Sequence, residues 1–303
     1  MISATLVGTS GMTPLPDRHL SSCIIKCNGS NYLIDAGEGT QIGLRKIGCG
    51  LKKINYVLLT HYHTDHIGGL SGLFASMANS EKDDLLTIIG PKGLNRTIDA
   101  TRKLVSKLPF AIKTIELADE YPTMNLDGLE VTPFPVEHKI PCLGYQFILQ
   151  RNGKCDPDKA KRNDVPMELW TDLQNNKVVN YNGRIITKDA ILSNSRKGLK
   201  IVYTTDTRPC NSIKEAAKNA DLFICEGMYG SDMKVPNAAK SIHMTMEDAA
   251  TIAAGCGVKE LILTHFSPAM VQPNKYESDL KDIFSRTTVG YDGLTRELEF
   301  SDN

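Results

Sequence analysis

Four side chains able to hold a metal ion fall within six residues: His61, His63, Asp65 and His66, in Thr60-His61-Tyr62-His63-Thr64-Asp65-His66. Neutral imidazole is a good ligand for zinc and its neighbours, and a carboxylate supplies the negative charge a dication needs. The apolar run Val57-Leu58-Leu59 leads straight into the cluster, so the ligands stand where a buried strand would stop. If His61 and His63 extend from that strand end, they point the same way and can grip one ion. Asp65 and His66 fall after the turn and can reach a second ion beside it. Two cations roughly 3.5–4 Å apart make water acidic enough to attack, so the expected chemistry is two-metal hydrolysis. Gly68-Gly69 follows at once and suits a helix start packed close to its surroundings.

Other segments repeat the design. The chain has 7 histidines, and His138 follows a strand expected over Leu129 to Pro133. Leu261-Ile262-Leu263-Thr264-His265 matches Val57 to His61, an apolar run ending in Thr-His. Ile201-Val202-Tyr203-Thr204-Thr205-Asp206 does the same with an aspartate. A lone histidine after a strand is usually an ordinary surface residue. Three such strand ends beside the His-x-His-x-Asp-His loop point to one shared site. Further on, Thr245-x-x-Asp248 reads as a capping box that starts a helix over Met246 to Ala254, which places His243 just before a rigid element.

The elements that would position these residues fit a 303-residue chain that is 41% hydrophobic and 23% charged, enough for one large α/β domain or two small ones. Such a core needs no disulfides. The 8 cysteines (Cys23, Cys27, Cys49, Cys142, Cys155, Cys210, Cys225 and Cys256) are scattered without a Cys-x-x-Cys pair, and read as free thiols of a reducing, cytoplasmic compartment. No basic stretch followed by an apolar one opens the sequence, and no apolar run approaches the ~20 residues that cross a bilayer, so no membrane partner is expected. Formal net charge is zero, which excludes a uniformly basic nucleic-acid-binding surface. The distribution is uneven: residues 151–200 carry 11 Lys+Arg against 6 Asp+Glu. A strand is expected over Tyr145 to Gln150 and another over Lys200 to Tyr203, and the stretch between them is polar. Within it Met167, Trp170 and Leu173, with Leu169 beside them, share a helical face, and Tyr181-Asn182-Gly183-Arg184 reads as a hairpin tip after an Asn-rich turn.

In this order and spacing, the segments resemble the metallo-β-lactamase superfamily and, within it, the ribonuclease Z family, over nearly the whole chain. Leu6-Val7-Gly8-Thr9-Ser10-Gly11 is similar to the family's first strand and glycine turn. Asp35-Ala36-Gly37-Glu38-Gly39-Thr40-Gln41 resembles its Asp-x-Gly-Glu-x-Thr-Gln segment, and Asp206-Thr207-Arg208 its Asp-Thr-Arg turn. His243-Met244-Thr245 stands where the family carries His-Ser-Thr. The ligand loop alone identifies only the superfamily.

The resemblance implies an αββα four-layer sandwich, a single domain over 1–303 with an inserted, protruding tRNA-binding arm at 151–198. It implies two zinc ions per chain, although Mn2+ or Fe2+ can occupy such mixed sites. His61, His63 and His138 would bind one, Asp65, His66 and His265 the other, and Asp206 would bridge them. That agrees with the residue chemistry, since a carboxylate has two oxygens and one imidazole normally serves one ion. Asp35 looks like the carboxylate that orients a ligating imidazole; the alternative is an ordinary turn residue before Gly37. Asp65 would also accept the proton of the attacking water. His243 would donate the proton to the leaving oxygen, held in one tautomer by Glu226, since a helix N-terminus alone would lower its pKa.

The implied activity is zinc-dependent endonucleolytic removal of the 3′ trailer from precursor tRNA by a homodimer, in which one subunit's arm holds tRNA for the other. The alternative is a phosphodiesterase for small esters or cyclic nucleotides, which would not need the arm. A metal-holding RNA-binding protein without catalysis fits poorly with Asp65, Asp206 and His243 all present, and a di-iron redox protein would need a flavin domain or partner that the sequence does not show. Three departures bear on detail: Val165-Pro166 replaces the family's Gly-Pro ahead of the arm helix, Pro16 and His19 replace Lys and Asn in the loop Gly11 to His19, and Met244 replaces Ser.

Overall fold

Short runs of β-branched and large apolar residues form the strands, and several of those in parallel pairs are buried on both faces, which is why they read as continuous apolar runs. The computed structural model describes residues 1–174, 177–194, 196–232 and 242–301. The chain opens with β1 (Ile2–Gly8), β2 (Ser22–Cys27), β3 (Ser30–Ile34), β4 (Ile54–Leu58), β5 (Leu86–Pro91) and β6 (Ile112–Leu117). It continues with β7 (Met124–Leu126), β8 (Leu129–Val136) and β9 (Cys142–Arg151), then a two-stranded ribbon, β10 (Val179–Tyr181) and β11 (Arg184–Ile186). Last come β12 (Arg196–Tyr203), β13 (Leu222–Glu226), β14 (Leu261–Thr264), β15 (Thr287–Val289) and β16 (Thr295–Leu298).

Two seven-stranded sheets result, in the orders β16-β1-β2-β3-β4-β5-β6 and β15-β14-β13-β12-β9-β8-β7. In the first, β3 to β6 run parallel; in the second, β12 to β15 do. Helices cover the outer face of each. Leu70, Leu73, Phe74 and Met77 of the helix Leu70–Asn79 share a core with Ile24, Leu33, Val57 and Ile88. Met246, Ala249, Ala250 and Ala253 of the helix Met246–Gly255 share another with Val202, Phe223, Leu261 and Leu263. Each fully buried Leu or Phe stabilises by about 1.5–3 kcal/mol, which ties each helix to its sheet. The architecture is the αββα sandwich. Its parallel strands aim their carboxyl ends at one edge, where ligands of such sheets are held.

Three strands run longer than their sequence suggests, among them the one read as Lys200 to Tyr203, which begins at Arg196. The strand read as Leu129 to Pro133 continues to Val136 in spite of Pro133 and Pro135. Its pairing with β7 stops at Val131, so beyond that point one side is a free edge, where a missing N–H costs nothing. The strand read as Tyr145 to Gln150 extends over Cys142–Arg151.

Leu149–Leu199, joined by Phe300 and Ser301, form a compact unit separate from the rest of the chain. This unit has its own small core of Ala160, Val165, Leu173, Ile186, Ile191 and Leu192. Asp156 caps the helix Pro157–Arg162, with Pro157 at its first position. The hairpin turns at Asn182 and Gly183, both left-handed at φ 51° and 79°, the conformation a two-residue hairpin loop requires. The expected face of Met167, Trp170 and Leu173 is wrong at one end. Met167–Leu169 is a 3-10 turn and the α-helix begins at Trp170, so Met167 is 71% exposed while Leu169, Trp170 and Leu173 face the core. The Asn-rich turn expected at Asn175 and Asn176 lies outside the described residues. All eight cysteines are free thiols, and no described helix is long and apolar enough to cross a membrane.

Candidate metal centre

The ligand loop is locked from both sheets before it reaches its first histidine. Leu59 donates to Ile89, Tyr145 Oη donates to the Leu59 carbonyl at 2.6 Å, and Leu143 N–H donates to the Thr60 carbonyl at 2.9 Å. Asp35, fully buried just past β3, accepts from Thr60 N at 2.8 Å and Thr60 Oγ1 at 2.7 Å, and lies 2.8 Å from His66 Nδ1. It therefore settles the imidazole of His66 as well as the entry to His61, and is no ordinary turn residue. Glycine is required where these loops touch. A Cβ on Gly37 would lie 2.0 Å from the Asp65 carbonyl, and one on Gly69 would lie 2.0 Å from that of Gly37.

The second sheet supplies the rest. His138 follows β8, in a loop pinned by Glu137 N–H on Thr207 Oγ1 at 3.1 Å and by Arg208 N–H on the Glu137 carbonyl. Asp206 follows β12, Glu226 ends β13 and His265 follows β14 in a left-handed conformation, φ 57°. His243 precedes the helix Met246–Gly255, whose capping box Thr245/Asp248 is present as read from sequence.

All nine residues named from sequence meet at this edge. His63 Nδ1 lies 3.0 Å from His61 Nε2 and 3.2 Å from His138 Nε2. Those spacings are close to the edge of about 3.3 Å of a tetrahedron with zinc–nitrogen bonds of 2.0–2.1 Å. A second group brings together Asp65 Oδ2, His66 Nε2 and His265 Nε2, with Asp65 Oδ2 at 3.5 and 3.8 Å from the two nitrogens. Asp206 faces both groups: Oδ1 lies 3.1 Å from His66 Nε2 and 3.0 Å from His265 Nε2, and Oδ2 lies 3.8 Å from His61 Nε2. The buried Nε2 atoms of His66 and His265 make no hydrogen bond. Buried polar atoms without a partner are costly, and convergent lone pairs beside ionised carboxylates fit divalent cations. His243 Nε2 also points inward, 3.8 Å from Asp206 Oδ2, while its Nδ1 lies 2.9 Å from Glu226 Oε2.

The electrostatics match that donor set. Burial pushes His61 down to about 2 and His138 to about 4, so both are neutral and present lone pairs. Burial opposes ionisation of Asp65 and Asp206, but the facing histidines outweigh it and hold both well below the usual range. His265 is raised to about 10 and His66 is raised too: burial lowers both, and Asp206 overrides it. His243 is raised as well: burial lowers it, and Glu226 together with Asp206 outweighs burial.

Sequence reasoning missed two hydroxyls. Thr60 Oγ1 bonds Asp35 and lies 3.0 Å from His61 Nδ1, and Thr205 Oγ1 donates to Asp206 Oδ1 at 2.9 Å. The signal was there, since a threonine directly precedes His61, Asp206 and His265. It also missed the backbone amide of Met12, which donates to Asp65 Oδ2 at 2.9 Å; nothing in the side-chain sequence marks such a donor.

Comparison with known proteins agrees with this geometry. Residues 2–139 match the family model described as anti-Pycsar protein Apyc1, and residues 190–266 match a beta-lactamase superfamily domain. A ribonuclease Z of Lachnoclostridium phytofermentans is 44% identical over 303 residues, covering 100% of both chains. One from Agathobacter rectalis is also 44% identical over 303 residues, again with 100% of both chains covered. The chain belongs to the ribonuclease Z family. Among solved structures, human tRNase Z, short form, superposes with a TM-score of 0.70 at 24% identity, covering 98% of this chain and 100% of that one. At that identity the likeness concerns the fold, and it spans the ribonuclease Z chain from end to end.

Proposed function

We propose that this chain is the endoribonuclease that removes the 3′ trailer from precursor tRNA, with two zinc ions as its cofactors. The observation that carries the reading is the convergence of five imidazoles and two carboxylates at one sheet edge of a chain that is ribonuclease Z-like over its full length. His61, His63 and His138 would hold one cation, Asp65, His66 and His265 the other, and Asp206 both. When bound, the cations supply an acidified water and neutralise charge on the phosphoryl oxygens.

The chain's own residues do the rest. Asp65 accepts the proton of the attacking water. Asp35 and Thr60 keep His66 and His61 in the orientation that exposes Nε2. His243, its Nδ1 held by Glu226, presents Nε2 to the leaving oxygen and protonates it. A histidine charged by a buried glutamate suits a proton donor better than a metal ligand, which must be neutral.

Substrate choice rests on the segment 151–198. Its basic excess suits the RNA backbone, whose phosphates dominate affinity. Its own core gives it the stiffness a docking arm requires. Action as a homodimer, one arm serving the partner's site, and in the cytoplasm belongs to the same proposal. Incubating the protein with a 3′-extended precursor tRNA, with and without a chelator, and mapping the cut to one nucleotide tests it. Absence of a discrete metal-dependent cut at the trailer junction overturns it. The match of residues 2–139 to the Apyc1 model keeps a second reading, hydrolysis of small phosphodiesters or cyclic nucleotides, as the outcome to compare.

A further inference from the structure

Met12 combines three features that have no structural purpose together. Its backbone is left-handed, with φ 62°, a region that disfavours every residue with a Cβ. It centres a three-residue turn closed by Thr13 N–H on the Gly11 carbonyl at 2.7 Å, a rare and strained form. Its large apolar side chain is 63% exposed. Glycine would relieve the strain and remove the exposed apolar surface at once.

The turn is held firmly in place. Gly11 N–H donates to the Phe266 carbonyl at 2.9 Å, Phe266 N–H returns a bond to Thr9 at 2.8 Å, and Ser10 Oγ donates to the Thr13 carbonyl at 2.8 Å. A Cβ on Gly11 would lie 2.8 Å from His265 Cε1, so the turn rests directly on that imidazole. The Met12 amide donates to Asp65 Oδ2 at 2.9 Å. The backbone from which the exposed side chain springs is thus fixed beside two of the residues that converge on the site. Strained conformations persist where the surroundings impose them, and cluster at functional sites.

We infer that Met12 is a substrate-positioning residue: its side chain is the surface on which a nucleobase next to the scissile phosphodiester packs. This rests on the proposed RNA-cleaving reading. A methionine sulfur and its methyl pack well against flat aromatic rings without hydrogen-bond preference, as an enzyme that meets many tRNA sequences requires.

The test uses the metal-loaded full chain, 3′-extended precursor tRNA, and the same RNA with an abasic nucleotide beside the cut. Met12→Gly is expected to raise KM about fivefold with kcat within about twofold, as the loss of one sulfur–ring contact implies, and Met12→Leu, which keeps the apolar bulk without the sulfur, to restore KM only in part. The thermal midpoint of Met12→Gly stays at or above that of the wild type. The abasic substrate raises KM for the wild type and not for Met12→Gly. An unchanged KM for Met12→Gly, or an equal abasic penalty in both proteins, overturns the inference. Should Met12→Gly not fold, Met12→Asp takes its place, with the same abasic comparison deciding. A wild type that leaves every RNA intact overturns the functional reading itself, and this inference with it.

Discussion

Glu226 Oε2 lies 2.9 Å from His243 Nδ1, and Glu226 is wholly buried. Its other oxygen, Oε1, accepts the Thr207 N–H, so the carboxylate is fixed between the Asp206 turn and the histidine. Burial lowers the His243 pKa, and Glu226 together with Asp206 outweighs it, so the value is raised. A proton donor works in its charged form, so activity should fall as pH rises through that raised value. Glu226→Gln removes the glutamate's raising contribution and leaves the burial. The alkaline limb of log kcat on precursor tRNA should therefore move to lower pH in the variant, with kcat at neutral pH down about 10²–10⁴-fold. An unmoved limb would show that His243 is not the donor.

Asp206 presents one oxygen to each donor group, whereas His138 belongs to one of them. After dialysis against metal-free buffer, Asp206→Ala should retain less than one metal equivalent by elemental analysis, and His138→Ala about one, given one ligand set left whole. Equal retention in the two variants would contradict the bridging role.

Asp35 touches no proposed cation; it orients His66 and accepts two bonds from Thr60. Asp35→Asn should weaken metal binding about 10–100-fold, the usual cost of losing such a partner, with kcat restored by added zinc. Competition against a chromophoric chelator measures it. A purely structural role would lower the melting temperature and leave the affinity alone.

Metal binding should stabilise the fold. At a free concentration 100 times the dissociation constant, the gain is about 2.7 kcal/mol per site. Calorimetry with and without chelator should show a lower midpoint for the stripped protein, and identical midpoints would exclude tight binding.

Replacing residues 155–190 by a short Gly/Ser linker should abolish cleavage of precursor tRNA and spare turnover of a small chromogenic diester. The salt dependence of RNA binding should flatten as well, since phosphate contacts are lost. Retention of full RNA cleavage would remove the docking role from this segment.

Much of the site could be read without coordinates because ligand chemistry is written in side chains. His61, His63, Asp65 and His66 are adjacent in sequence, and His265 and Asp206 each close an apolar run. The capping box at Thr245 was visible because its two hydrogen bonds span three residues. What escaped depended on contacts between distant segments or on the backbone alone. The strand read as Leu129 to Pro133 fell short of Val136, because nothing local to it shows that β7 stops early and leaves an edge that tolerates Pro133 and Pro135. Met167 was misplaced because a 3-10 turn shifts the phase of a helical face. The left-handed turn at Met12 carries no composition signal, since methionine is not a turn former.

The donors are divided between the two halves of the sandwich, with His61, His63, Asp65 and His66 on one and His138, Asp206 and His265 on the other. Neither half alone can assemble a cutting centre, so nuclease action becomes a certificate that the seam has closed. A misdocked or fragmentary chain would be harmless to RNA, and the proposed ions, once bound, would also rivet the finished molecule shut.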